Sequence, residues 1–182
     1  MSPDGSTSTV IGGLDLNYGI AVDSAGNVYA STANGYVIKV APNGAQTTVS
    51  NSNVPLGLAV DRTGNLYIAQ ATVQTVLKIA PDGSQSTVGG SWYYPSGVAL
   101  DASGNVYVAD QVVSYLVKVS PTGSMSRVGS GFYQPYAVAV DPAGNILVVD
   151  EGNNRIVQIT PSGARPYSCP VSVFRETWRS TG

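Results

Sequence analysis

Histidine is absent from the 182 residues, cysteine occurs once, at Cys169, and glutamate twice, at Glu151 and Glu176. Each scarcity removes a class of chemistry. Without histidine there is no imidazole to act as general base or zinc ligand. With a single cysteine no internal disulfide can form, so a disulfide scaffold is excluded and a core must carry the stability. Charged residues make up only 11% of the chain, nine Lys and Arg against eleven Asp and Glu, for a net charge of −2. Three of the basic residues, Lys39, Lys78 and Lys118, occupy one recurring strand position. That spreads positive charge around the fold and disfavours nucleic acid as a partner. Their stems are expected to lie on apolar surface with the charged heads in water. No run of eighteen apolar residues occurs, and MSPDGSTSTV has neither a basic start nor an apolar centre, so neither membrane insertion nor an export signal is expected in the chain as given. The length suffices to bury about 70% of the unfolded surface, enough for one domain.

What is present is a repeated short pattern. In GVALDASGNVYVAD, residues 97–110, two aspartates, a serine and an asparagine surround a glycine. A helix-flanked calcium loop needs glycine sixth and a bidentate acid twelfth; counted from Asp101, the glycine falls fourth and Val112 twelfth. A hairpin turn needs only what is there, an aspartate to bond the following N–H groups and Gly104 to take φ > 0 between two alternating runs. The same stretch recurs from Gly19, Gly57 and Ala137, with its aspartates at 23, 61, 101 and 141. A second turn recurs in step at Pro42-Asn43-Gly44, Pro81-Asp82-Gly83, Pro121-Thr122-Gly123 and Pro161-Ser162-Gly163, with a further copy at Pro3-Asp4-Gly5. One period of about forty residues thus reads as four short antiparallel strands, the pattern of a propeller blade. The fold class expected is an all-β propeller of four-stranded blades, as a closed four-bladed ring or a partial arc of a six-bladed one. The blades fall at about 11–49, 50–88, 89–128 and 129–163 within one domain, 1–163, followed by an irregular tail, 164–182. Pro166 and Pro170 make that tail a poor outer strand, so residues 6–10 are expected to pair with 155–160 and close the ring.

The motifs G-[VIL]-A-[VL]-D and G-N-[VIL]-Y-[VI]-A, with Gly152-Asn153-Asn154-Arg155-Ile156 before a third strand, resemble NHL repeats, and are similar to those of bacterial extracellular NHL sensor propellers. In the first three repeats the loop equivalent to 150–155 departs from that pattern. The resemblance implies enzyme relatives of two kinds, lactonases holding a divalent ion with Glu, Asn and Asp of the inner strands, and lyases using histidine and zinc. Neither set can be placed on the inner strands here, so no catalysis, cofactor or metal is expected. The resemblance and the Gly, Ser, Thr, Asn and Tyr content favour an extracellular or periplasmic origin.

Binding is the function expected, with a peptide, protein or glycan as partner. The connections entering each blade differ among repeats and, by propeller topology, share one rim with the loops between second and third strands. The expected contact residues are Trp92, Tyr93, Tyr94, Phe132, Tyr133 and Tyr136, with Asp110, Asp150, Glu151 and Arg155. Packing of these rings between blades is the competing reading. A propeller lactonase or lyase, and a structural fragment of a longer propeller, are the alternatives. A closed ring would be a monomer and an open arc could form oligomers.

Overall fold

The computed structural model describes residues 7–51, 54–162 and 168–170. Four antiparallel sheets follow one another along the chain. Blade 1 holds β1 (Leu16–Val22), β2 (Val28–Thr32), β3 (Tyr36–Val40) and β4 (Gln46–Asn51). Blade 2 holds β5 (Pro55–Val60), β6 (Leu66–Gln70), β7 (Thr75–Ile79) and β8 (Gln85–Thr87). Blade 3 holds β9 (Pro95–Leu100), β10 (Val106–Asp110), β11 (Tyr115–Val119) and β12 (Met125–Arg127). Blade 4 holds β13 (Pro135–Val140), β14 (Ile146–Asp150), β15 (Arg155–Ile159) and β16 (Ser168–Pro170). Within each sheet the strands lie in sequence order, and the first strands neighbour one another from blade to blade.

The aspartate of each first turn is a turn residue. In blade 2 the Asp61 Oδ1 accepts from the backbone N–H of Thr63 (2.9 Å) and Asn65 (2.9 Å), while Oδ2 accepts from Asn65 Nδ2 (2.7 Å) and the Tyr67 hydroxyl (3.2 Å). Gly64 takes φ +83°, closing the bend at low cost. Blades 1 and 3 repeat the arrangement through Tyr29 and Tyr107; in blade 4 Leu147 replaces the tyrosine, leaving the Asn145 donors on Asp141. Burial opposes ionisation of Asp23, Asp61 and Asp101, but the donated hydrogen bonds outweigh it, and their carboxyls lie below the usual range. The partner tyrosines, desolvated and beside a carboxylate, are pushed up to about 12. The repeated lysines sit directly across the sheet from these rings, with Nζ 5.6, 5.6 and 6.0 Å from the centroids of Tyr29, Tyr67 and Tyr107. Their heads therefore rest over aromatic faces.

The core lies between blades. Each of blades 1 to 3 turns a face with Tyr, a small residue and Val or Leu toward an aliphatic face of the next. Tyr67, Ala69 and Val76 share a cluster with Val98, Val106, Val108 and Val119; Tyr107, Ala109 and Leu116 share one with Ile146, Val148, Val157 and Ile159. Each such aliphatic side chain, once covered, contributes about 1.5–3 kcal/mol. The inner strands come together at glycine. A Cβ on Gly57 would meet Ser96 O at 2.8 Å and Gly97 Cα at 2.9 Å, and one on Gly97 would meet Tyr136 O at 2.8 Å.

Among the described residues the ring is not closed between blades 4 and 1, which fits the arc, and not the four-bladed ring, of the two forms expected from sequence. Ile20 is 70% exposed, whereas the equivalent Leu58 and Val98 are 7% and 5% exposed under the preceding blade. Ile156 is 52% exposed, whereas Val37, Val76 and Leu116 are at most 1% exposed under the following one. The expected closing strand is also replaced. Residues 7–10 form no strand, and Ser168–Pro170 pairs with Arg155–Val157 as the outer strand of blade 4. Pro170 is tolerated because its missing N–H lies on an outermost strand. Pro3-Asp4-Gly5 and the rest of the tail lie outside the described residues.

Candidate ligand-binding rim

At the end of the strands away from the aspartate turns, the connection entering a blade meets that blade's loop between second and third strands. A side chain at the end of the second strand ties the two together. In blade 3 Asp110, fully enclosed, accepts from the backbone N–H of Tyr93 (2.8 Å) and Tyr94 (3.0 Å), while Gln111 N–H donates to Tyr94 O at 3.0 Å. In blade 4 the buried Asp150 accepts from Tyr133 N–H (2.7 Å), Asn153 Nδ2 (2.9 Å) and Arg155 Nε (2.7 Å). The Arg155 Nη2 donates onward to Gly131 O at 2.6 Å. A charge that deep is tolerated because every contact is a donor. In blades 1 and 2 the side chain at that position bonds only within its own loop: Thr32 bonds Asn34 and Tyr36, and Thr75 donates to Gln70.

These bonds sort the expected contact residues. Trp92 is buried between blades 2 and 3, its Nε1 donating to Val88 O at 3.0 Å, and Phe132 fills the same place between blades 3 and 4. Both are core, so their assignment to the binding face is corrected. Asp110, Asp150 and Arg155 are loop clamps rather than free ligand contacts. Tyr94 and Tyr136 are half-buried. Tyr93 and Tyr133, at equivalent positions in adjacent blades, are each more than half exposed. Glu151 is exposed in a 3-10 turn (Glu151–Asn153) and accepts from Gln111 Nε2 at 3.0 Å, which bridges the two blades. Val73 and Val112 are exposed on the corresponding loops of blades 2 and 3. Gln111, Val73 and Val112 had a signal in the sequence, since they lie where those repeats leave the common pattern.

The aspartate turns of blades 2, 3 and 4 line a cavity of about 660 Å³ at the opposite end, which includes Asp61, Arg62, Thr63, Asp101, Ser103 and Asp141. Its carboxylates are already engaged by the turns. Among the described residues no three His, Cys, Asp or Glu side chains stand together in a way that could hold a metal ion, and no helix is long and apolar enough to cross a membrane.

Four successive four-stranded blades around first strands define a β-propeller arc. Residues 93–119 and 132–159, in blades 3 and 4, match the NHL repeat, and the chain has a β-propeller fold. No curated protein matches it in sequence. Its fold is similar to a streptogramin B lyase (TM-score 0.75, 14% identity, covering 87% of this chain and 56% of that one). It is also similar to a catalytically inactive histidine-to-alanine virginiamycin B lyase from Staphylococcus aureus with quinupristin (TM-score 0.73, 14% identity, 90% and 58%). A third similar structure is a putative gluconolactonase (TM-score 0.66, 19% identity, 80% and 60%). The chain spans little more than half the length of these proteins. They overturn the expectation that the chain is not an enzyme: the architecture it shares is one that lyases use, and inner strands without catalytic groups do not speak for the loops. At these identities the likeness establishes the fold alone.

Proposed function

We propose that the chain is a recognition module whose rim at blades 3 and 4 binds a peptide or glycan through Tyr93 and Tyr133. The observation that carries this reading is the pair of exposed rings at equivalent positions, each on a loop whose backbone is clamped to a buried carboxylate. Clamped aromatic rings offer contact area at little ordering cost. Glu151 and Gln111, bonded to each other across blades 3 and 4, add polar groups to the same rim. Peptide and oligosaccharide arrays test the reading. Ligands found on them should bind at least tenfold more weakly to Tyr93→Ala/Tyr133→Ala, with the β-sheet circular dichroism unchanged. Binding indifferent to both substitutions, or none on either array, defeats it.

A second reading is turnover at the same rim, and its support is the likeness to lyases and a putative gluconolactonase. The histidine whose loss inactivates one of those lyases has no counterpart, because this chain contains none. Any acid–base step at the rim of blades 3 and 4 would fall to Glu151, the exposed carboxylate among the described residues there. Incubation with a cyclic depsipeptide and with simple lactones, followed by mass spectrometry, tests it. Ring opening that is lost in Glu151→Gln supports turnover, and unchanged substrate removes it.

A further inference from the structure

The two open ends of the arc carry the two halves of one interface. Inside the chain that interface forms three times, always between the rear face of one blade and the front face of the next. At the blade 3–blade 4 junction the rear row is Gly97, Ala109 and Leu116, side by side across the sheet, and the front row is Val138, Val148 and Val157. The corresponding rear row of blade 4 is Ala137, Val149 and Ile156, and the front row of blade 1 is Ile20, Ala30 and Ile38, of which Ile20 is exposed, Ile38 half-buried and Ala30 buried within the chain. The central positions have exchanged sizes. Relative to the internal junction, Val149 adds a pair of methyl groups over Ala109, and Ala30 lacks the pair that Val148 has. A swap that conserves volume is the kind that packed interfaces accept.

We infer that the rear face of blade 4 docks on the front face of blade 1 of a second copy of this chain. The contact is heterologous, and two copies joined through it at both ends close a ring of eight blades. Ile20, Val149 and Ile156, exposed in the single chain, then become buried, and Val22 half-buried like Val60, Leu100 and Val140. Ala137 stands where glycine lets the inner strands approach, so the copies meet with those strands set slightly farther apart than inside the chain. Head-to-tail docking keeps both rims on one side of the ring.

Light scattering on the purified chain tests the inference. The expected mass is twice 18.7 kDa in the micromolar range. Ile20→Asp and Ile156→Asp should each halve it; both sites are exposed within one chain, so circular dichroism should be preserved. Mixing the two variants should restore the dimer mass, because the intact rear face of one still meets the intact front face of the other. A wild-type monomer overturns the proposal and leaves these faces to another occupant, such as further repeats or a different protein. A variant that stays dimeric alone, or a mixture that stays monomeric, overturns the head-to-tail pairing.

Discussion

Replacing Asp101 with alanine removes the acceptor for four donors at once. They are the N–H groups of Ser103 and Asn105 (2.9 Å each), Asn105 Nδ2 (2.6 Å) and the Tyr107 hydroxyl (3.1 Å). Water can replace the acceptor for the outer donors, which reduces their loss. The inner two matter more, because Tyr107 is buried in the junction with blade 4 and its hydroxyl would be left without this partner. A charge-assisted hydrogen bond contributes about 1.5–3 kcal/mol, and an orphaned buried hydroxyl costs about 1–3 kcal/mol. Because the bonds share one carboxylate they do not add fully, and the expected loss is about 3–5 kcal/mol. In a domain of this size that lowers Tm by about 6–20 °C. Thermal melts of Asp101→Ala, Tyr107→Phe and the double variant measure it, with an expected coupling of about 1–2 kcal/mol between the two sites. Asp141→Ala should lower Tm less, since Leu147 gives that aspartate no hydroxyl to hold. Full additivity of the Asp101 and Tyr107 variants, or an equal loss in Asp141→Ala, would refute the view that the aspartate ties turn to junction.

The same turns should make the protein indifferent to metals: melts with chelator and with added calcium should coincide, and a large shift would return the aspartates to a ligand role. Trp92→Ala and Phe132→Ala should each cost about 3–5 kcal/mol in a denaturant titration, as buried aromatics do, while Tyr93→Ala should leave the midpoint nearly unmoved. Stability should fall at both pH extremes. The turn carboxylates have lowered folded pKa values, so their contribution is present above the unfolded value of 3.8 and is lost as pH falls below it. Tyr29, Tyr67 and Tyr107 have raised values, so theirs is present below pH 10 and is lost as pH rises toward about 12. Tyr107→Phe should shrink the alkaline loss, and an unchanged alkaline profile would count against the hydroxyl link.

Blade order and turn chemistry were legible because they are local. An aspartate four residues before an asparagine, with glycine between, encodes its own bend, and period-two alternation encodes the flanking strands. Trp92 and Tyr93 show where that legibility stops. They are adjacent, both aromatic and in an irregular loop, so no periodicity says which turns inward; the backbone bonds to Asp110 decide it. The chain ends misled for a different reason. Prolines at 166 and 170 argue against a fourth, outer strand, but Ser168–Pro170 forms one, because an outermost strand tolerates a proline. Closure depends on how two distant faces meet, and no local pattern reports that. Arg155 was readable as a motif residue but not as a clamp, because its partner Gly131 O lies on the preceding connection.

Every sheet is threaded in sequence order from its first strand to its last. No strand therefore waits for a distant segment before it can pair, and long-range loop closure, which slows most all-β folding, is largely avoided. During synthesis blade 1 has all its strands once Asn51 has emerged, and each later blade finds its predecessor already formed as a template. The arc can grow on the ribosome one blade at a time, with the apolar rear face of each new blade uncovered only until the next one forms.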